Sequence, residues 1–220
     1  MTRNTFLSFF FVFLAVLAAT TDKLPLKEWN STSDKPLIFY VSGDGGYTSF
    51  SENICNEINK AGYKITALNS KSYFDDQKTP EQTTSDIVAY LNTEFSKRKN
   101  QQLVLAGYSF GADIVPFVVN NLPDSIKKKL ISVVLLSPSK STDFETHFWD
   151  MLGGARKGNR DVVAEINKLG SVKTAIILET EADFPANNIK LKDSGFYKLG
   201  GGHHFEGNTN EVVKIMMKYF

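Results

Sequence analysis

The chain has 220 residues, a single cysteine, and 25 basic against 24 acidic residues for a formal net charge of +1. Such a length suits one domain, and a chain of this size buries roughly 70% of the surface it exposes when unfolded, so it needs no disulfide or metal staple. No basic stripe with interleaved aromatics is present, which argues against nucleic acid as a partner.

The chain opens on a targeting pattern. Arg3 supplies a positive start, Phe6 to Ala19 is an apolar run with Ser8 as its one polar residue, and Ala18 or Ala19 offers a small residue for cleavage. The run is shorter than the roughly 20 residues of a spanning helix, so residues 1–19 read as a cleaved secretory signal, with an uncleaved anchor as the alternative. No cysteine follows to take a lipid. A polar segment, 20–35, leads into a single domain over 36–220, which is expected to work in the periplasm or outside the cell.

Within that domain short apolar runs alternate with amphipathic segments. Strands are expected at Pro36–Val41, Lys64–Leu68, Gln102–Ala106, Ile131–Leu136, Thr174–Leu178 and Phe196–Leu199. Runs apolar at nearly every position suit strands covered on both faces of a parallel sheet. Phe50, Ile54, Ile58 and Ala61 form one helical stripe, closed by Gly62. Cys55 falls among them and reads as a buried, inert thiol, because Glu52 and Glu57 oppose the electropositive setting a reactive thiol needs. Thr79-Pro80-Glu81-Gln82 has capping-box spacing with proline at the first helical position, and Ile87, Leu91 and Phe95 form the core face behind it. Lys97-Arg98-Lys99 reads as a basic helix end. Asn208 to Glu211 caps a last helix that buries Val212, Ile215, Met216 and Tyr219. The alternation predicts an α/β fold with a mostly parallel central sheet and helices on both faces. Asp143 to Arg160 is the least regular stretch and reads as an insertion or cap.

"GYSFG", Gly107 to Gly111, sits where an apolar strand gives way to a helix. A serine between two glycines in that context is the nucleophile-elbow pattern. The turn is strained, its neighbours must be small, and the following helix points its positive end at the serine. A tight turn without chemistry is the other reading of the pentapeptide. The base must be one of three histidines. "GGGHHF", Gly200 to Phe205, lies between the last strand and the last helix, and His203, directly after glycine, is the choice for Ser109. His204 then points elsewhere, and His147, beside Phe148 and Trp149, is expected to pack. The orienting acid should follow the fifth strand, in "ETEAD". Asp183 is preferred there, Glu181 is the alternative, and Glu179 lies too close to the strand end. The order serine, acid, histidine agrees with the elbow pattern. Donors for an oxyanion are expected from the N–H of Phe110 and from the glycine loop "SGDGG", at Asp44 and Gly45. That loop lacks the lysine and Ser/Thr of a phosphate-binding loop. Asp44 either braces its loop or meets a cationic substrate group, and Glu145 is a second candidate for that contact. Asp113, in the first turn after the elbow, reads as a partner of the helix dipole. No metal site and no cofactor are expected.

With these residues the chain resembles the VirJ/AcvB family, bacterial envelope proteins of the α/β-hydrolase superfamily. The resemblance rests on "SGDGGY", "NSKSYFDDQKTPEQTTSDI", "GYSFGADIVPF", "LLSPSKSTDFE" and "GGGHHFEG", which together span almost all of the chain after its leader. Tyr47 stands where the family pattern usually has tryptophan, and the acid-bearing loop matches least. The resemblance implies a periplasmic serine hydrolase of the α/β-hydrolase fold, with aminoacylated phospholipid as the substrate it suggests. It also carries an association with type IV secretion, a binding role without turnover. The expected partner is therefore a small-molecule or lipid ester, with contact to a membrane surface if the ester is a lipid. Oligomeric state and the choice between hydrolysis and acyl transfer are not encoded in any motif.

Overall fold

The computed structural model describes residues 24–145 and 158–220. The expected signal segment and His147 lie outside these residues. In chain order the elements are β1 (Leu26–Trp29), β2 (Leu37–Val41), α1 (Ser49–Lys60), β3 (Ile65–Leu68), α2 (Ser70–Tyr73), α3 (Pro80–Phe95), β4 (Leu103–Tyr108), α4 (Phe110–Asn121), α5 (Asp124–Lys127), β5 (Leu130–Leu136), β6 (Ser141–Thr142), β7 (Arg160–Asp161), α6 (Val162–Asn167), β8 (Lys173–Glu179), β9 (Ser194–Leu199) and α7 (Thr209–Met216).

Seven strands make one sheet in the order β1-β3-β2-β4-β5-β8-β9. All neighbours are parallel except β1, which runs antiparallel to β3 at one edge. Alternate residues of each strand serve different faces, and both faces are apolar. Leu37, Phe39 and Val41 of β2 join Leu103 and Leu105 of β4 in one core, with Ile87 and Leu91 of α3, Ile114 and Val118 of α4 and Val162 of α6. Ile38 and Tyr40 join Val104 and Ala106 in the other, with Ile54 and Ile58 of α1 and Val212 and Met216 of α7. Period-two alternation between two covered faces is why these strands read as continuous apolar runs. Cys55 sits in the second core, where burial pushes its thiol well up.

Helix ends follow the sequence signals. Thr79 accepts from the N–H of Gln82 at 3.1 Å while Gln82 accepts from the N–H of Thr79 at 2.9 Å, a complete capping box before Pro80. Asn208 accepts from the N–H of Glu211 at 3.3 Å at the start of α7.

Three strands depart from expectation. The polar segment 20–35 contains β1, whose Lys27 and Glu28 face outward while Leu26 and Trp29 are half-buried. The two charged residues are adjacent and so stand on opposite faces, while Leu26 packs on one core and Trp29 on the other; a short edge strand is only partly covered on either face and can carry charge on both. Ser141–Thr142 and Arg160–Asp161, at the borders of the irregular stretch, pair as a small antiparallel ladder.

Because β2, β4, β5, β8 and β9 are parallel, their carboxyl ends all emerge at one edge of the sheet, and the connections that follow them converge there. Open α/β sheets place their sites at this edge.

Candidate active site

Ser109 closes β4 and opens α4. Its φ of 53° and ψ of −122° put it outside the regions open to ordinary residues, a strain of about 1–3 kcal/mol that only a surrounding frame can maintain. Both flanking glycines are needed for that frame. A Cβ on Gly107 would run into the Gly111 carbonyl, and one on Gly111 into the carbonyls of Val41 and Ser42. The Ser109 N–H donates to the Leu136 carbonyl at 2.8 Å, and the N–H groups of Ala112 and Asp113 return to the Ser109 carbonyl.

His203 meets this serine from the connection after β9. Its Nε2 lies 2.7 Å from Ser109 Oγ. Two contacts hold the histidine loop. Tyr108, the residue before the serine, donates its hydroxyl to the His203 carbonyl at 3.0 Å. Phe205, 1% exposed, plugs the second core against Phe50. Phe205 and Glu206 carry positive φ values of 49° and 52°, so the chain reverses tightly beyond the histidine pair. His204 turns away from Ser109 and packs edge-on against Phe50.

The acid facing His203 differs from the expected one. Glu179 Oε1 lies 3.5 Å from His203 Nδ1, an ion-pair distance longer than a tight hydrogen bond. Asp183, the preferred residue, points into solvent with its side chain 94% exposed and pairs with Lys140 at 2.5 Å. Glu181 is exposed as well. The reason is register. β8 continues through Glu179, paired with Leu199 of β9, so the last strand residue already reaches the histidine while the following loop passes beyond it. Ser137, just after β5, donates its hydroxyl to the other carboxylate oxygen of Glu179 at 2.6 Å. Burial works against ionisation of Glu179, but the Ser137 hydroxyl, its own backbone N–H and His203 outweigh it and hold the carboxyl below its usual range. Ser137 was not among the residues the sequence singled out, and nothing in "LLSPS" distinguishes it except its place at a strand's carboxyl end.

The glycine loop after β2 folds as a tight turn, with the Gly46 N–H on the Gly43 carbonyl at 2.9 Å. A Cβ on Gly43 would stand 3.5 Å from the Cβ of Ser109, so this loop lies directly against the serine. Gly45 donates its N–H to Asp44 Oδ1 at 2.8 Å and is already engaged. Among the described residues no acceptor is bonded to the N–H of Phe110 or of Asp44.

A cavity of about 180 Å³ opens at Ser109 and Phe110, and four carboxyl side chains line it: Asp44, Asp113, Asp143 and Glu145. Asp113, 3% exposed, accepts from the Ser139 N–H at 2.6 Å. Burial pushes its carboxyl up to about 8; hydrogen bonds from Ser139 oppose the rise and the charge of Asp44 adds to it. It is thus a buried group of the cavity wall rather than a simple partner of the helix dipole. A second cavity of about 420 Å³ opens on the His203 side, lined in part by Pro138, Lys140, Ala182 and Phe184. Among the described residues no group of three or more His, Cys, Asp and Glu side chains is placed to hold a metal ion.

No curated protein matches the chain. Among solved structures it resembles a monoacylglycerol lipase of Paleococcus ferrophilus, at 12% identity and a TM-score of 0.61 over 90% of this chain and all of that one. A lipase-esterase related protein from Clostridium acetobutylicum gives 15% identity and a TM-score of 0.61, over 89% and 99% of the two chains. The thioesterase domain from the curacin biosynthetic pathway gives 12% and 0.59, over 87% and 94%. The fold is that of the α/β-hydrolases. The family described as "Bacterial virulence protein (VirJ)" matches residues 34–220, and the chain belongs to it.

Proposed function

We propose that the protein is a serine hydrolase of the bacterial envelope that cleaves esters, with aminoacylated phospholipid as its substrate. The observation that carries the proposal is the 2.7 Å contact between Ser109 Oγ and His203 Nε2, backed by Glu179 on the opposite ring nitrogen. His203 takes the hydroxyl proton as Ser109 attacks the ester carbonyl, and Glu179 stabilises the imidazolium that forms. The tetrahedral oxyanion meets the N–H groups of Phe110 and Asp44, at the positive end of α4. His203 then gives its proton to the leaving alcohol, and an acyl group remains on Ser109. Water, deprotonated by the same histidine, releases the acid. The second cavity, beside the proton donor, is the place for the leaving alcohol, and the smaller one, beside Ser109 and Phe110, for the acyl part.

The carboxylates of the smaller cavity support a cationic acyl group. Glu145 is half-buried and Asp44 exposed, so an ammonium there gains more from Glu145, because the attraction grows as the surrounding dielectric falls, while Asp44 adds a weaker attraction from the glycine loop. Asp44 and Glu145 are the residues proposed to make this selection. Release from lysyl-phosphatidylglycerol should therefore be faster than from neutral acyl esters of the same alcohol, and Asp44→Asn should lose more on the cationic ester than on the neutral one. Equal rates on both would remove the cationic substrate and leave the hydrolase. Failure of every ester, with folded protein, would favour the binding role in secretion.

A further inference from the structure

Ser137 stands just beyond β5 with a φ of 49°, in the left-handed region that suits glycine. It is buried, and its N–H donates to the Ile177 carbonyl at 2.8 Å, so its backbone is fixed against β8. Its hydroxyl donates to Glu179 Oε2 at 2.6 Å while Glu179 Oε1 faces His203 Nδ1. A carboxylate turns about a broad, two-fold torsion. Pinning one oxygen aims the other. Glycine would sit at this backbone position with less strain, but it would bring no donor.

We propose that Ser137 is a positioning residue that holds Glu179 toward His203, so that Ser109, His203, Glu179 and Ser137 work as one chain of polar contacts. Without the hydroxyl, Glu179 rotates freely and meets the imidazole only part of the time. Glu179 would also ionise less readily, since burial opposes its charge and the Ser137 hydroxyl leads the groups that offset burial. The inference rests on the hydrolase reading of the site.

The test is a two-by-two set of variants assayed on a short-chain 4-nitrophenyl ester: wild type, Ser137→Gly, Glu179→Gln and the double variant. A hydrogen bond to a charged group is strong enough that its loss should lower kcat about tenfold to a hundredfold in Ser137→Gly, with KM little changed. The melting temperature should change little, because relief of the backbone at positive φ offsets the lost hydrogen bond. In the Glu179→Gln background the same substitution should change kcat by no more than about twofold, since residues acting through one another are non-additive. Ser137→Ala, which keeps the Cβ, should repeat the loss if glycine loosens the loop. Full kcat in both Ser137 variants, or an equal loss in both backgrounds, overturns the inference. Labelling of wild type by a fluorophosphonate separates the two levels of failure. A labelled wild type with unaffected Ser137 variants sinks this role alone, whereas an unlabelled, folded wild type sinks the hydrolase reading beneath it.

Discussion

Replacing Asp113 by asparagine should stabilise the protein at neutral pH, and the gain should vanish in acid. Asp113 is buried beneath the cavity at the elbow, and burial lifts its carboxyl from the ordinary 3.8 to about 8. Between those two values the unfolded chain has lost the proton and the folded chain keeps it. The folded state then binds more protons, so stability falls as pH rises, by about 1.4 kcal/mol per unit. A carboxyl raised in the folded state contributes most below 3.8 and loses that contribution progressively up to about 8. Asparagine keeps an acceptor for the Ser139 N–H, now at 2.6 Å from Oδ1, and has no proton to lose. Asp113→Asn should thus be close to wild type at pH 4 and about 4 kcal/mol more stable at pH 7, a figure that moves by about 1.4 kcal/mol for each unit in the carboxyl's position. Urea unfolding of both proteins at each pH from 4 to 8 measures it, because all other titrating groups are common to both and cancel. A difference independent of pH, or a variant less stable at pH 7, would refute the reasoning.

Glu179→Gln should lower kcat on a 4-nitrophenyl ester by about a thousandfold to ten-thousandfold, the typical loss for a triad acid. Asp183→Asn, whose only described partner is the exposed Lys140, should stay within about threefold, since exposed ion pairs contribute little; the reverse ranking would restore the loop acid. Tyr108→Phe removes the hydroxyl that holds the His203 carbonyl and should lower kcat/KM by about twofold to tenfold, the range for one neutral hydrogen bond, with the melting temperature as the control for folding. Gly111→Ala forces a Cβ into the Val41 carbonyl and should lower the melting temperature by roughly 6–12 °C, from about 3 kcal/mol of overpacking. An alanine variant that melts with wild type would show that the close approach at the elbow is not required.

The strands and the elbow were legible in the sequence because both faces of the sheet are covered and because Gly107 and Gly111 sit where backbone meets backbone. That Ser109 and His203 come together was legible for the same kind of reason: one has a local motif and the other few competitors, with three histidines in the chain. The acid was not. Whether it lies in a loop or on the last residue of a strand depends on register with the next strand, here Glu179 against Leu199, and no local pattern encodes that. Ser137 was hidden for a related reason. Its role depends on a neighbouring strand 42 residues later in the chain. β1 was missed because its two charged residues suit an edge strand and a polar linker equally well. The engagement of the Gly45 N–H by the Asp44 carboxylate was hidden too, since it turns on a one-residue detail of the loop.

The central claim is that Ser109 is a nucleophile activated by His203. A fluorophosphonate probe tests it without any choice of substrate, since the probe needs only an activated serine and donors for its oxygen. After incubation with the full protein, digestion and mass spectrometry should place a single adduct on the peptide bearing Ser109. Ser109→Ala should give none, and His203→Ala should slow labelling by about a thousandfold or more, as loss of a general base does. A folded wild type that takes up no probe, or an adduct that persists in Ser109→Ala, would contradict the account.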